Sequence, residues 1–339
     1  MANGNDYKAV SLFEVAEKAG VSSATVSRVI NNSPNVNPET RLRVQQVIKE
    51  LKYTPNRVAK RLRNRNASNN LLGVLIPDIQ NPFYVEVLRG IEDVAYENKY
   101  ALIVCNFSQD EKKEMLYLDI LISESVDGLI AAPTHENDQK VIHIVKSGLP
   151  IVCVDRGLLG VDVDLVVVEN RNGAYSAVDY LAKKGYKRIA FISGLPQLPS
   201  SRQRESGYKD ALVDNGLAFD PSLVKYGDSR HESGVRLSEE LLNLETPADA
   251  IFTGNNLITL GALETIHKRG LKIPDEVAIV GFDDMYWSIS LNPPLTAVRQ
   301  PAYEIGKRAA ELLIQRITDP SRPTVSMTLK TELMIRSSC

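Results

Sequence analysis

"GVSSATVSRVINNSPNVNPET", residues 20–40, holds one arginine and one glutamate among many small hydroxyl and amide side chains. A surface of that kind can approach the edges of DNA bases closely and hydrogen-bond to them. Local signals divide it into helices. Gly20 can take the left-handed conformation that ends a helix, and Ser22 is placed to cap a second helix over 23–30. "NNSPNV" is a loop, and Asn37 caps a third helix with Pro38 at its first position. Upstream, Ser11 and Glu14 have capping-box spacing before "LFEVAEKA". Leu42, Val44, Val47, Ile48 and Leu51 are expected to form the apolar face of the third helix.

The two helices over 12–30 have helix-turn-helix spacing, which lays the second helix in a major groove. Ser23, Ala24 and Arg28 are the expected base readers, with Arg28 able to grip guanine through two donors. Thr25 and Ser27 can donate to phosphates or bases, and Ser22 and Asn31 flank them. The plainer alternative is a helical hairpin packed on a core.

"YTPNRVAKRLRNRNASNN" follows at 53–70, a basic segment that fades into a polar linker over 66–70. Asn56, Arg57, Ala59 and Lys60 are expected to meet DNA if the segment folds on it. Leu62 is the candidate wedge into a minor-groove step. An ordinary flexible linker is the competing reading. Expected domains are therefore 1–56, a hinge over 57–70, and a body over 71–339.

Charge follows the same division. Residues 1–68 carry 12 Lys/Arg and 5 Asp/Glu, a net +7, and the remainder carries 28 and 37, a net −9. A basic module on an acidic body suits an anionic partner for the small part.

From residue 71 short β-branched runs alternate with helix-length amphipathic stretches. The runs include LLGVLIP (71–77), YALIVCN (100–106), PIVCVDR (150–156), RIAFISG (188–194) and VAIVGFDD (277–284). Unbroken apolar runs of this length read as strands buried on both faces, and helices between them imply parallel sheets. The expected fold class is α/β, a three-helix headpiece plus a two-subdomain body. Ligands in open parallel sheets bind beyond the carboxyl ends of the strands. That rule selects Asp155, Arg156, Asn255, Asn256, Asp283 and Asp284.

Other classes find little support. G-x-S-x-G, G-x-x-x-x-G-K-[ST], G-x-G-x-x-G and H-E-x-x-H are absent, and the four histidines are isolated, so neither catalysis nor a metal or other cofactor is expected. Cys105, Cys153 and Cys339 are widely spaced and odd in number, which reads as reduced thiols. The start, MANGNDYKAV, has no apolar stretch of signal-peptide length, and no apolar run reaches membrane-spanning length. A cytoplasmic location is expected.

These residues carry a resemblance. "SLFEVAEKAGVSSATVSRVINNSPNVNPETRLRVQQVIKELKYTPNRVAKRL" resembles the DNA-binding headpiece of the LacI/GalR family of bacterial repressors. "LLGVLIPDIQNPFYVEVLRGIEDVA", "RGLKIPDEVAIVGFDD" and "PPLTAVRQPAYEIGKRAAELLIQRI" resemble units of its effector domain, in the same order. The resemblance implies a homodimer on a pseudo-palindromic operator. It also implies a body like periplasmic sugar-binding proteins, one subdomain over about 71–168 with 298–330 and the other over about 169–297 with 331–339. A small carbohydrate-type effector in the cleft would control repression of carbohydrate-use genes.

Carried over position by position, Phe83, Tyr84, Asp155, Arg156, Arg204 and Asp283 would line the cleft. Two positions depart from the family pattern. Asn256 stands where sugar-binding members carry an aspartate, and Ser229-Arg230-His231 stands where they carry an aromatic platform. With Arg202, Arg204 and Arg230 nearby, the sequence favours an anionic ligand such as a sugar acid or phosphosugar. The alternatives are a neutral sugar, or a phosphocarrier protein acting as corepressor. Two further rivals are a transport-type binding protein, disfavoured by the basic headpiece, and an enzyme on the same fold.

Overall fold

The computed structural model describes residues 10–30, 32–53 and 69–339. The chain divides into two compact units, Met1–Asn69 and Asn70–Cys339.

The first unit contains α1 (Leu12–Ala19), α2 (Ser23–Ile30) and α3 (Pro38–Glu50). The Ser11 hydroxyl accepts from Glu14 N while the Glu14 side chain accepts from Ser11 N, closing the capping box. Gly20 sits at φ 62°, and the Asn37 side chain accepts from Glu39 N at 2.9 Å. Val15, Ala19, Val26, Val29, Val44 and Val47 form a small core with Tyr53. Leu42 is not part of it and is 67% exposed. The buried stripe of α3 runs through 44, 47, 48 and 51, and at 100° per residue position 42 falls on the opposite side.

The second unit holds two six-stranded sheets. The first contains β1 (Leu71–Ile76), β2 (Ala101–Asn106), β3 (Gly128–Ala131), β4 (Ile151–Val154), β5 (Asp164–Val168) and β11 (Ser326–Leu329), in the order β11-β5-β4-β3-β1-β2. The second contains β6 (Ile189–Ser193), β7 (Val224–Tyr226), β8 (Ala250–Thr253), β9 (Ala278–Phe282), β10 (Thr296–Arg299) and β12 (Glu332–Met334), in the order β12-β10-β9-β8-β6-β7. All pairings are parallel except β10 with β12.

Helices cover both faces of each sheet, which is why the central strands are apolar throughout. Leu72, Val74 and Ile76 pack under α4 (Pro82–Glu97) and α11 (Ala302–Thr318), while Leu75 faces α5 (Glu111–Ser123) and α6 (Gln139–Lys146). In the second sheet α7 (Asn170–Lys184) and α8 (Pro199–Asp214) cover one face, and α9 (His231–Leu242) and α10 (Asn256–Lys268) the other. α4 and α11 meet without intervening side chains at Gly90 and Gly306, where a Cβ would run into the carbonyls of Tyr303 and Val87.

One strand expectation is corrected: β2 is an edge strand with only Cys105 buried, not a strand buried on both faces. β10 keeps residues up to Arg299 in the second sheet, and the chain crosses at Gln300 and Pro301. The chain crosses between the lobes three times, after β5, β10 and β11. Asp164, at the start of β5, is a buried carboxylate held by Arg316, Arg322 and Val325 N, which fixes the entry to β11.

Candidate functional site

In the first unit, α2 turns Val26 and Val29 to the core and leaves the other side open. Ser22, Ala24 and Arg28 are exposed, and Ser23, Thr25 and Ser27 are partly exposed. The Ser22 hydroxyl accepts from Thr25 N at 3.2 Å and lies 2.9 Å from the Thr25 hydroxyl, so the two brace the first turn. α2 thus carries short polar side chains at its start and one long cation in its last turn. Asn31, Asn56, Arg57, Ala59, Lys60 and Leu62 lie outside the described residues.

In the second unit a cleft opens where the carboxyl ends of the two sheets face each other. The lobes build it in the same way. Asp155 follows β4 and Asp283 follows β9, and each takes a left-handed backbone, φ 66° and 78°. Asp155 N donates to Val166 O at 3.1 Å on the next strand, and Asp283 N to Val298 O at 2.9 Å. A left-handed residue other than glycine is strained, and both aspartates line the cleft.

Around them stand Phe83, Tyr84 and Arg156 from the first lobe, and Arg204, Ser229 and Arg230 from the second. The cavity is about 60 Å³, room for several waters or one small hydroxylated molecule. Tyr84 Oη donates to Asp155 Oδ2 at 3.0 Å. Burial, then the charge of Asp155, pushes the phenol well above its ordinary value, so it remains a hydroxyl donor. Burial also raises Asp283, opposed by Arg204 and by hydrogen bonds from Gln300 Nε2 at 2.5 Å and Asn256 N at 3.3 Å.

The two buried arginines differ. Arg204 is committed to the protein: Nε donates to Asn170 Oδ1 at 2.8 Å and Nη1 to Gly254 O at 2.5 Å. Arg156 is 1% exposed, and its Nε and Nη2 have no hydrogen-bond partner. Its charge has Asp155 Oδ2 at 3.9 Å. A buried guanidinium with unused donors asks for acceptor oxygens in the cavity.

Arg202 and Asn256 do not join the cleft lining. Arg202 turns outward, giving Nη2 to Glu136 Oε2 at 2.5 Å and Nη1 to Gln197 O at 2.5 Å. Asn256 is fully buried and gives Nδ2 to Asn81 Oδ1 at 2.9 Å. Asp284 pairs with Arg299 and Arg336 instead. Asn81, Ser108, Gln109, Asp228 and Gln300 line the cleft without having been singled out in the sequence. Asn81 had a readable signal, as an asparagine cap before Pro82 beside the aromatic pair. Ser108 and Gln109 had none beyond their place after β2.

The lining therefore carries four carboxylates, Asp78, Asp155, Asp228 and Asp283, against three guanidiniums, Arg156, Arg204 and Arg230. Among the described residues no group of His, Cys, Asp and Glu could hold a metal ion, and no helix is long and apolar enough to cross a membrane.

Comparison with known proteins agrees with this architecture. Residues 11–56 match the family model of bacterial regulatory proteins of the lacI family. Residues 69–335 match the model of periplasmic binding proteins and the sugar-binding domain of the LacI family. The chain is 38% identical to catabolite control protein A of Priestia megaterium over 90% of its own length and 91% of that protein. It is 33% identical to the transcriptional repressor CytR of Escherichia coli over 97% and 96%. Among solved structures it is similar to a complex of the transcriptional regulator CelR with cellobiose, at a TM-score of 0.74 and 32% identity over 97% of this chain and all of that one. It is also similar to the lac repressor dimer bound to operator and an anti-inducer, at a TM-score of 0.82 and 27% identity over 98% and 99%. The chain belongs to the LacI family of bacterial transcriptional regulators, joining its DNA-binding helices to its sugar-binding type of body.

Proposed function

We propose that this regulator is a homodimeric repressor of carbohydrate-use genes, released from or fixed on its operator by a neutral, polyhydroxylated carbohydrate in the cleft. One observation carries the choice of ligand. The innermost charges are Arg156 and Arg204 against Asp155 and Asp283, two and two. Hydroxyl groups both accept and donate, so one sugar can satisfy the Arg156 donors and give protons to the aspartates. An anion would add an unbalanced charge to a largely buried site, at a desolvation cost. The anionic reading rested partly on Arg202, which is engaged with Glu136 outside the lining.

The DNA side follows from α2. Ser23 and Ala24 permit close approach, Arg28 reads a base, and Ser22, Thr25 and Ser27 position the helix. The basic segment 56–62 adds phosphate contacts and the Leu62 wedge. Two copies read two half-sites, so the operator is a pseudo-palindrome in the cytoplasm. The second copy has a surface to use: beside edge strand β2, Val104, Met115, Leu116, Ile120 and Ile122 are exposed.

The test is selection of operators from random duplexes by the full-length protein, then titration of neutral sugars into the complex. Two-fold symmetric sites whose occupancy changes with a neutral sugar support the reading. Asymmetric sites, or a response only to acids or to a phosphorylated protein, reject it.

A further inference from the structure

Asn81 closes the first turn of α4, its Oδ1 accepting from Phe83 N at 2.9 Å. That same oxygen accepts Nδ2 of Asn256 from the opposite lobe, also at 2.9 Å. Both side chains are buried, at 8% and 0% exposure. The Phe83 amide fixes this oxygen as an acceptor, so only a donor can meet it. An aspartate at 256 would set oxygen against oxygen, and rotating the Asn81 amide to relieve this would lose the cap. The amide at 256 therefore has a reason that involves no ligand.

A second tie lies at the surface. Arg202 on α8 reaches Glu136 on the loop between β3 and α6 at 2.5 Å. That loop is itself anchored, because Thr134 N donates to buried Glu114 at 3.0 Å and Leu159 N to Glu136 O at 2.7 Å. Neither Asn256 nor Arg202 lines the cavity, yet each crosses between lobes.

We infer that Asn256–Asn81 and Arg202–Glu136 form a latch that holds the two lobes together without ligand, with the Asn256 amide as its buried member. Closure is then a property of the resting protein. A ligand acts on an already closed cleft and shifts the equilibrium by its differential affinity, without first having to draw the lobes together. The buried hydrogen bond carries most of the effect, since a half-exposed ion pair contributes little.

The test uses the ligand-free full-length chain without DNA, so its outcome does not depend on the proposed function. Asn256→Asp, Arg202→Gln and the double variant are compared with the parent by X-ray scattering and by hydrogen exchange. Asn256→Asp should raise the open-to-closed ratio roughly 3- to 10-fold. Exchange at 81–86 and 134–138 should quicken together, and the radius of gyration should increase, most in the double variant. Arg202→Gln is a surface change and keeps the test valid if Asn256→Asp fails to fold. It should quicken exchange at 81–86, which it does not touch. Unchanged scattering and exchange in the variants, or changes confined to each substituted segment, would overturn the latch.

Discussion

The Arg204 guanidinium lies 3.8 Å from the centroid of the Phe282 ring, stacked on the last residue of β9. Stacking and two hydrogen bonds make Arg204 part of the second lobe as much as of the cleft. Arg156 lacks such ties. The two arginines should therefore respond unequally to an apolar replacement. Arg204→Met should destabilise the protein by about 2–4 kcal/mol, because Gly254 O and Asn170 Oδ1 lose their donors. Arg156→Met should destabilise the protein less, because no hydrogen bond from Nε or Nη2 is lost and only the 3.9 Å pairing with Asp155 is removed, while ligand response is lost. Denaturant melts of the two variants check this, and equal destabilisation would contradict it.

Arg28 is the one cation on the exposed side of α2. Arg28→Ala should weaken specific operator binding by about 1–3 kcal/mol and relax discrimination at one base position per half-site. Affinities for operator and random duplex at fixed salt separate the possibilities. An equal loss on both would make Arg28 a phosphate contact only.

Burial, with nearby Asp138 adding to it, pushes Glu114 up to about 7. The folded protein then holds a proton that the unfolded chain releases near pH 4.5. This contribution to stability is present below about pH 4.5 and is lost as pH rises through about 7. The loss is on the order of 1–3 kcal/mol. Glu114→Gln should flatten that part of the stability–pH curve, as followed by denaturant melts between pH 4.5 and 8. A variant with the parent's slope would place the titration elsewhere.

Much of this fold was legible because its signals are local. Ser11, Gly20, Ser22 and Asn37 are short-range caps, and central strands such as β1 and β9 are apolar because helices cover both faces. The strands that escaped notice, β7, β11 and β12, are short, and residues such as Lys225, Thr328 and Glu332 interrupt their apolar pattern. The cleft was legible where it follows strand ends, as at Asp155 and Asp283. Arg202 and Asn256 stand outside the cleft lining for a different reason. Their orientation depends on Glu136 and Asn81, which come from the other lobe and are 66 and 175 residues away in the chain. No local pattern contains that information.

The proposed ligand is a neutral carbohydrate set between Arg156 and Arg204 on one side and Asp155 and Asp283 on the other. Calorimetry at pH 7, in two buffers of different ionisation enthalpy, tests it with neutral monosaccharides and the matching uronates and sugar phosphates. The account predicts that a neutral sugar binds with no net proton exchange and that Arg156→Met abolishes its heat. An anion placed beside Asp283, a buried carboxylate, would meet like charge and bind more weakly. A uronate or phosphosugar that binds tighter than every neutral sugar would contradict the account.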